Sequence, residues 1–247
     1  MPASRSPGKR GQADAIEPPD EDPAELARVL RKSARMTCAL GIVFVLCFLA
    51  GIYCFARSPR LDASDAELIQ YYTSSGADLT LLGGLYLLPF AAVAFLWFIA
   101  ALREWVEHSS RTIDHLLSTV QMLSGVSFIT LVFVAAGAVT IVTLSERFSE
   151  VPIDDTLARQ FPLLGRTLLI VFGMRMAAIF VTSTAKIGGG AKLYPPWFIF
   201  GSYAVAAALF LTATLNVWLV VVFPVWVAVL CGLIWQRTLH KHKPTAT

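Results

Sequence analysis

Long runs without a charged side chain divide this sequence and restrict the folds that it can adopt. Met36–Ala56, Leu79–Leu102 and Leu116–Leu144 contain 21, 24 and 29 consecutive uncharged residues. A further 38 uncharged residues form the run Trp197–Ile234. About 20 mostly apolar residues cross a bilayer core as an α-helix, so each run is long enough to span a membrane. We therefore expect a multi-pass membrane protein of the all-α class.

Composition agrees with this expectation and excludes several classes of partner. Charged residues make up 15% of the 247 residues, against about 25% in soluble domains. The net charge of +3 is too small to indicate a nucleic-acid-binding protein. All four cysteines lie inside apolar runs and none forms a CxxC pair, so we expect neither a disulfide nor a metal or other cofactor site.

The last uncharged run is too long for a single span. As one helix, its 38 residues would measure about 57 Å, nearly twice the bilayer core. We expect a tight turn near Leu215–Val217, beside Asn216, which separates the spans Trp197–Leu215 and Trp218–Ile234. With Leu163–Ala185 as the fourth span, the prediction is a transmembrane bundle of six helices.

The distribution of Lys and Arg predicts the orientation of this bundle. The two termini and segments 103–115 and 186–196 together hold 14 basic residues, whereas the alternate loops hold four. Loops rich in Lys and Arg remain in the cytoplasm. Both termini are therefore expected to be cytoplasmic, and the location is expected to be the cell membrane.

Four parts are expected along the chain. Residues 1–21 are rich in proline, glycine and charge and are predicted to be a disordered cytoplasmic tail. Residues 22–35 are predicted to form a basic juxtamembrane helix that begins at Asp22-Pro23. The membrane domain covers 36–236, and 237–247 form a second cytoplasmic tail. We expect the juxtamembrane helix to bind anionic lipid through four basic side chains: Arg28, Arg31, Lys32 and Arg35.

Local patterns in the loops and spans give three smaller predictions. Ser64 and Glu67 have the spacing of a capping box and predict the start of a helix in the outer loop. Gly188–Gly190 is expected to be a flexible inner hairpin. Trp97 and Trp226 lie deep in their spans and are expected to pack inside the bundle.

Arg175 is the candidate for a functional or structural polar site. It lies 12 residues past the start of the fourth span, or about 18 Å, and no Asp or Glu lies in any predicted span. An arginine at this depth costs at least about 2.5–3.5 kcal/mol and normally faces a bundle interior or a water-filled cavity. Three partners remain open: backbone carbonyls, a bound anion, or an acid on another subunit. Thr182 and Lys186 share its helical face.

Pro89 favours the first of these partners. It lies at a depth similar to that of Arg175 and, in an α-helix, it would free the carbonyl of Leu85. We therefore expect Arg175 to point into the bundle, toward the carbonyls of Leu85 and Tyr86.

Function is less constrained than topology. Motifs of hydrolases, phosphate loops and zinc sites are absent from the sequence, so an enzyme is not expected. We expect a non-enzymatic accessory or scaffolding subunit whose protein partner the sequence does not identify. The alternative is a small transporter or channel that uses Arg175 in a path for an anion or polar solute.

Several motifs resemble those of a family of bacterial six-helix integral membrane proteins of unknown function, common in high-GC Gram-positive bacteria. The similar stretches are Leu85–Phe90 with Ala94–Phe98, Leu168–Ala178, Tyr194–Trp197 and Phe223–Val227. The resemblance covers roughly residues 36–236. It implies the six-span topology and carries no activity.

Overall fold

The computed structural model describes residues 23–57, 64, 67, 70, 71, 75–109, 114–148, 155–211 and 217–240. These ranges are helical almost throughout and contain no strand, which confirms the predicted all-α class. The predicted tail 1–21, the last residues of the predicted fifth span with most of the predicted turn (212–216), and 241–247 lie outside the described residues.

Six long helices form the described part of the chain. We number them α1 (Pro23–Ala56), α2 (Ser75–Ser109), α3 (His115–Phe148), α4 (Asp155–Thr167, Leu168–Gly173 and Met174–Gly190), α5 (Pro196–Leu211) and α6 (Val217–His240). All except α5 are long and apolar enough to cross a membrane. The 16 residues of α5 measure about 24 Å, which is shorter than a typical bilayer core.

The N-terminal helix differs from its prediction in one respect. It begins at Pro23, as expected, but it continues without interruption to Ala56. The sequence around the junction of Arg35 and Met36 contains neither a proline nor a run of helix-breaking residues, so the basic segment and the first span form one helix. The basic juxtamembrane helix is therefore an extension of α1 and not a separate element.

Helix starts follow their sequence signals. In the predicted capping box, the Ser64 N–H donates to Glu67 Oε2 at 2.8 Å, and the Glu67 N–H donates to Ser64 Oγ at 3.4 Å. Asp114 caps α3, because its Oδ1 accepts the N–H groups of Leu116 and Leu117 at 3.0 and 3.2 Å.

Two helices contain a π-helical segment. In α2 it covers Leu82–Leu87, immediately before Leu88-Pro89, and in α4 it covers Leu168–Gly173. In the first segment the Leu88 N–H donates to the Gly83 carbonyl, five residues earlier. This segment packs between α1 and α3.

Most helices pack against the helix that precedes or follows them in the chain, and α1 also packs against α6. Helix α1 packs against α2 and α6, while α3 packs against α2 and α4. Helix α5 packs mainly against α4 and touches α6 less extensively, so it lies at the edge of the bundle.

Phenylalanines from five helices fill the centre of the bundle. We call this set the aromatic core: Phe44 (α1), Phe95 (α2), Phe128 (α3), Phe180 (α4) and Phe223 (α6), all fully buried. The rings of Phe44 and Phe95 are 4.6 Å apart between centroids, and those of Phe128 and Phe223 are 5.0 Å apart. Such spacing is that of direct ring contact, so side chains occupy the bundle axis at this level.

The two deep tryptophans have different environments. Trp226 is buried, as predicted, and its Nε1 donates to Ser202 Oγ at 2.9 Å, which joins α6 to α5. The prediction for Trp97 is wrong, because 56% of this residue is exposed on the outside of α2. Lipid and protein interior are both apolar, so hydropathy does not show which of the two an indole faces.

Candidate functional site

Arg175 lies on the outside of α4, two residues after its π-helical segment. The side chain is half-buried, and within the described ranges its guanidinium makes no hydrogen bond or ion pair. Fifteen residues separate it from the end of the helix at Gly190, which is about 22 Å along the axis. A charge is therefore held deep in a membrane-capable helix without a protein partner in the described part of the chain.

The face of α4 that carries Arg175 is a continuous surface stripe. Arg175, Ile179 and Thr182 are half-buried and Lys186 is exposed, whereas Ala177–Ala178, Phe180–Val181 and Ser183–Ala185 between them are buried. We call these four residues the α4 stripe. The spacing of three to four residues places them on one side of the helix, so Thr182 and Lys186 lie on the face of Arg175.

The predicted contact between Arg175 and the carbonyls of Leu85 and Tyr86 is not formed. Leu85 and Tyr86 themselves are 42% and 57% exposed on α2. The expectation assumed an α-helical register before Pro89, but the chain there has the π register, with hydrogen bonds to the fifth preceding carbonyl. Tyr86 lies in this π-helical segment, which packs on α1 and α3, and Pro89 follows it in the α-helical part of α2.

Thr182 does not solvate Arg175 either. Its Oγ1 donates to the carbonyl of Ala178 at 2.9 Å, within α4 itself. Ser and Thr side chains in helices commonly satisfy their hydroxyl in this way. Among the predicted site residues, Arg175, Thr182 and Lys186 thus share a surface without touching through a hydrogen bond.

The stripe ends in a cleft at one end of the bundle. The cleft has a volume of about 570 Å³ and is formed by the start of α3, the end of α4 and the first half of α5. Lys186 lines it together with Asp114 and Tyr203. We call this space the α3–α4–α5 cleft. Its volume falls in the range of about 300–1,000 Å³ that is typical of small-molecule sites.

The turn next to this cleft replaces the predicted flexible hairpin. Gly188–Gly190 is helical, and α4 ends in a Schellman motif: the Leu193 N–H donates to the Gly188 carbonyl at 2.7 Å, and the Lys192 N–H donates to the Gly189 carbonyl at 3.1 Å. Lys192 takes the left-handed conformation, with φ 53°. The prediction of a flexible loop is wrong because these two bonds satisfy the last carbonyls of the helix.

Contacts from distant parts of the chain hold this turn in place. Arg237 Nη2 donates to the carbonyl of Lys192 at 2.8 Å, which ties the end of α6 to the turn. The ring of Tyr194 packs directly over Gly188, where a Cβ atom would overlap it. The Tyr194 hydroxyl is buried without a hydrogen-bond partner in the described ranges, and this burial raises its pKa.

Sequence reasoning missed three residues that matter here. Gln121 is buried in α3 and donates to Thr184, and Asp114 and Tyr203 line the cleft beside Lys186. Gln121 carried a usable signal, because an amide inside an apolar span must find a partner. Tyr203 carried no such signal, since tyrosine is common near membrane interfaces.

Metal ligands do not cluster in the part of the chain that the structure describes. No protein-family model, curated protein or solved structure matches this chain.

Proposed function

We propose that this chain is a non-enzymatic accessory or scaffolding subunit of a complex in the cell membrane. The observation that carries the proposal is Arg175, a charge on the outer stripe of α4 with no partner in the described residues. Charged groups inside membranes pair with one another, with backbone carbonyls or with water. A carboxylate on a neighbouring transmembrane helix satisfies this arginine through two parallel hydrogen bonds.

The partner in this proposal is a different protein. None of the six predicted spans contains Asp or Glu, so a second copy of this chain cannot supply the carboxylate within the membrane. A spanning helix with one Asp or Glu near mid-bilayer is the chemistry that fits the α4 stripe. The similarity to six-helix bacterial membrane proteins is part of the same proposal.

Site-specific cross-linking tests this assignment. A photo-cross-linking amino acid replaces Ile179, one turn from Arg175 on the stripe, or Val134 as a control exposed on α3. The proposal expects a discrete adduct from position 179 that disappears with Arg175→Gln and whose captured helix contains a carboxyl residue. A helix without such a residue, or an adduct that survives Arg175→Gln, would overturn it.

The proposed topology has six spans with both termini in the cytoplasm. The basic residues outside the spans support it, as does the length of the segment from Pro196 to His240, which contains two helices. Cysteine labelling in intact cells tests it at two exposed positions. Glu146→Cys should react with an impermeant reagent added outside, and Gly190→Cys should remain protected. Labelling of position 190 from outside would contradict the topology.

Anionic lipid is a second proposed partner, at the N-terminal part of α1. Arg28, Lys32 and Arg35 are exposed and Arg31 is half-buried, so all four side chains are accessible to some degree. Basic side chains near an anionic surface gain roughly 1 kcal/mol each. Native mass spectrometry of the full chain in detergent, titrated with phosphatidylglycerol before and after these four residues are replaced by glutamine, measures this affinity, and unchanged binding would contradict the assignment.

A small transporter is the alternative function, and the continuity of the α4 stripe with the cleft favours it. Arg175 and Lys186 then belong to one path for an anion along the outside of α4. Proteoliposomes loaded with iodide separate the two functions. If iodide flux exceeds that of protein-free vesicles and Arg175→Gln abolishes the excess, the function is transport and not the accessory role.

A further inference from the structure

The α3–α4–α5 cleft contains two opposite charges that do not neutralise each other. Asp114 and Lys186 both line it, but they form no ion pair. Asp114 uses Oδ1 to cap α3, which leaves the other carboxylate oxygen without a bond among the described residues. Lys186 is exposed and donates no hydrogen bond to any described residue. Among the residues that the structure describes, the lining of the cleft thus presents one free cation and one free carboxylate oxygen.

The rest of the lining is suited to a lipid. Leu117 and Ile199 provide apolar walls on either side, and Tyr203 adds a ring with a hydroxyl. A Cβ atom at Gly190 would meet nothing within 4 Å, so the backbone at the mouth of the cleft is open to a bulky group. The cleft also lies at the ends of two membrane-capable helices, α3 and α4, and the ends of spanning helices are where lipid headgroups are found.

We propose that this cleft binds a phospholipid with a zwitterionic, primary-amine headgroup, of which phosphatidylethanolamine is the simplest. The phosphodiester accepts hydrogen bonds from Lys186 and Tyr203, and the ammonium donates to Asp114. Charge-assisted hydrogen bonds of this kind are about twice as strong as neutral ones. The site depends neither on the orientation of the chain in the membrane nor on the accessory function proposed above.

Three lipids separate the two charge contacts. Native mass spectrometry of the full chain in detergent is titrated with phosphatidylethanolamine, phosphatidylcholine or phosphatidylglycerol of identical acyl chains. Phosphatidylcholine keeps the phosphate and the net charge but its quaternary amine cannot donate a hydrogen bond, and phosphatidylglycerol lacks the amine. For the binding that Lys186→Gln removes, which leaves out the anionic-lipid site proposed at α1, we expect phosphatidylethanolamine to bind about tenfold more tightly than either, which corresponds to about 1.4 kcal/mol.

Variants assign each contact to its residue. Asp114→Asn keeps a good N-cap for α3, and it should remove the preference for phosphatidylethanolamine while leaving phosphatidylglycerol binding intact. Lys186→Gln should weaken all three lipids. Lys192→Asn is the matched control, because it removes a basic residue of the neighbouring turn that does not line the cleft, and asparagine tolerates the left-handed conformation.

Several results would overturn the proposal. Equal affinities for the three lipids in the binding that Lys186→Gln removes, or tightest binding of phosphatidylglycerol there with no effect of Asp114→Asn, would assign the cleft to anionic lipid or to no lipid. Competition by soluble phosphorylethanolamine at the same concentration would assign it to a water-soluble ligand. A dimer that Lys186→Gln dissociates would assign the cleft to a second copy of the chain.

Discussion

Gln121 Nε2 donates a 2.6 Å hydrogen bond to Thr184 Oγ1 and so joins α3 to α4 inside the bundle. Thr184 makes a second hydrogen bond within α4, in which its Oγ1 donates to the carbonyl of Phe180 at 2.7 Å. Both side chains are buried. Phe180 links these hydrogen bonds to the aromatic core, because its carbonyl accepts from Thr184 and its ring packs in the core.

The first prediction concerns this bond. Gln121→Leu keeps a similar volume but removes the donor, and it should lower the free energy of unfolding by about 0.6–1.7 kcal/mol, the range measured for hydrogen bonds between membrane helices. Reversible unfolding in mixed micelles measures the change. Thr130→Val is the control, because Thr130 is exposed and bonds only to the Val126 carbonyl of its own helix. Equal effects of the two substitutions would contradict the assigned role of Gln121.

The second prediction concerns the approach of α2 to α3. A Cβ atom at Gly84 would overlap Thr140 Cγ2 and lie 3.2 Å from the Ala136 carbonyl oxygen. Gly84→Ala should therefore destabilise the bundle by about 1–3 kcal/mol, as overpacking of cores does. Adding Thr140→Ser removes the overlapping methyl and should recover part of the loss.

Gly137→Ala is the matched control for this clash. A Cβ atom at Gly137 meets nothing within 4 Å, so only helix propensity changes, and alanine gains up to about 1 kcal/mol over glycine. The same assay should rank Gly137→Ala as neutral or stabilising. A loss equal to that of Gly84→Ala would mean that contact between helices does not require the glycine.

The third prediction concerns the end of α4. Lys192 occupies the left-handed position of the Schellman motif, where glycine has no steric penalty. Lys192→Gly should raise stability by up to about 1 kcal/mol, because relief of about 1–2 kcal/mol of left-handed strain outweighs the roughly 0.5–1 kcal/mol of extra freedom in the unfolded chain. The carbonyl that Arg237 contacts belongs to the backbone and remains. A lower melting temperature for this variant would contradict the prediction.

The fourth prediction concerns pH. Burial raises the pKa of Tyr194 in the folded state above its ordinary value of about 10. Above about pH 10 the unfolded chain therefore loses this proton more readily than the folded chain, and stability falls as pH rises. Tyr194→Phe should make this fall shallower. It should also stabilise the protein at neutral pH by about 1–3 kcal/mol, because it removes a buried hydroxyl without a partner.

The sequence predicted those features that depend on apolar length and local capping. Charge-free runs defined the first three spans, and the spacing of Ser64 and Glu67 defined a capping box. The direction of side chains was less predictable. Trp97 is exposed and Arg175 is half-buried on the α4 stripe, although both were expected inside the bundle. A membrane protein is apolar on both sides of each helix, so periodicity alone does not separate core from lipid.

The hydrogen-bond register before Pro89 and the end of α4 were also predicted incorrectly. The expected free carbonyl of Leu85 assumed α-helical bonds before Pro89, but the chain inserts a π-helical segment there. Three consecutive glycines indicated a hairpin, yet the helix continues through them and Lys192 takes the left-handed position instead. In both cases packing against neighbouring helices overrides local propensity.

The last prediction returns to Arg175 and separates its cost in the isolated chain from its use in a complex. The guanidinium has no partner in the described residues, so Arg175→Leu removes a desolvated charge without leaving any protein group unpaired. The purified variant should be as stable as the parent or more stable, by up to the roughly 2.5–3.5 kcal/mol that an arginine costs at mid-bilayer. Arg166→Leu is the control in the same helix, because Arg166 interacts with its surroundings and this variant should lose stability. In cells the two variants should differ in cross-linking: Arg175→Leu removes the cross-link from position 179, whereas Arg166→Leu keeps it.

A purified Arg175→Leu protein that unfolds more readily than the parent would mean that the arginine stabilises the fold of the chain itself. The case for an intramembrane docking charge would then fail.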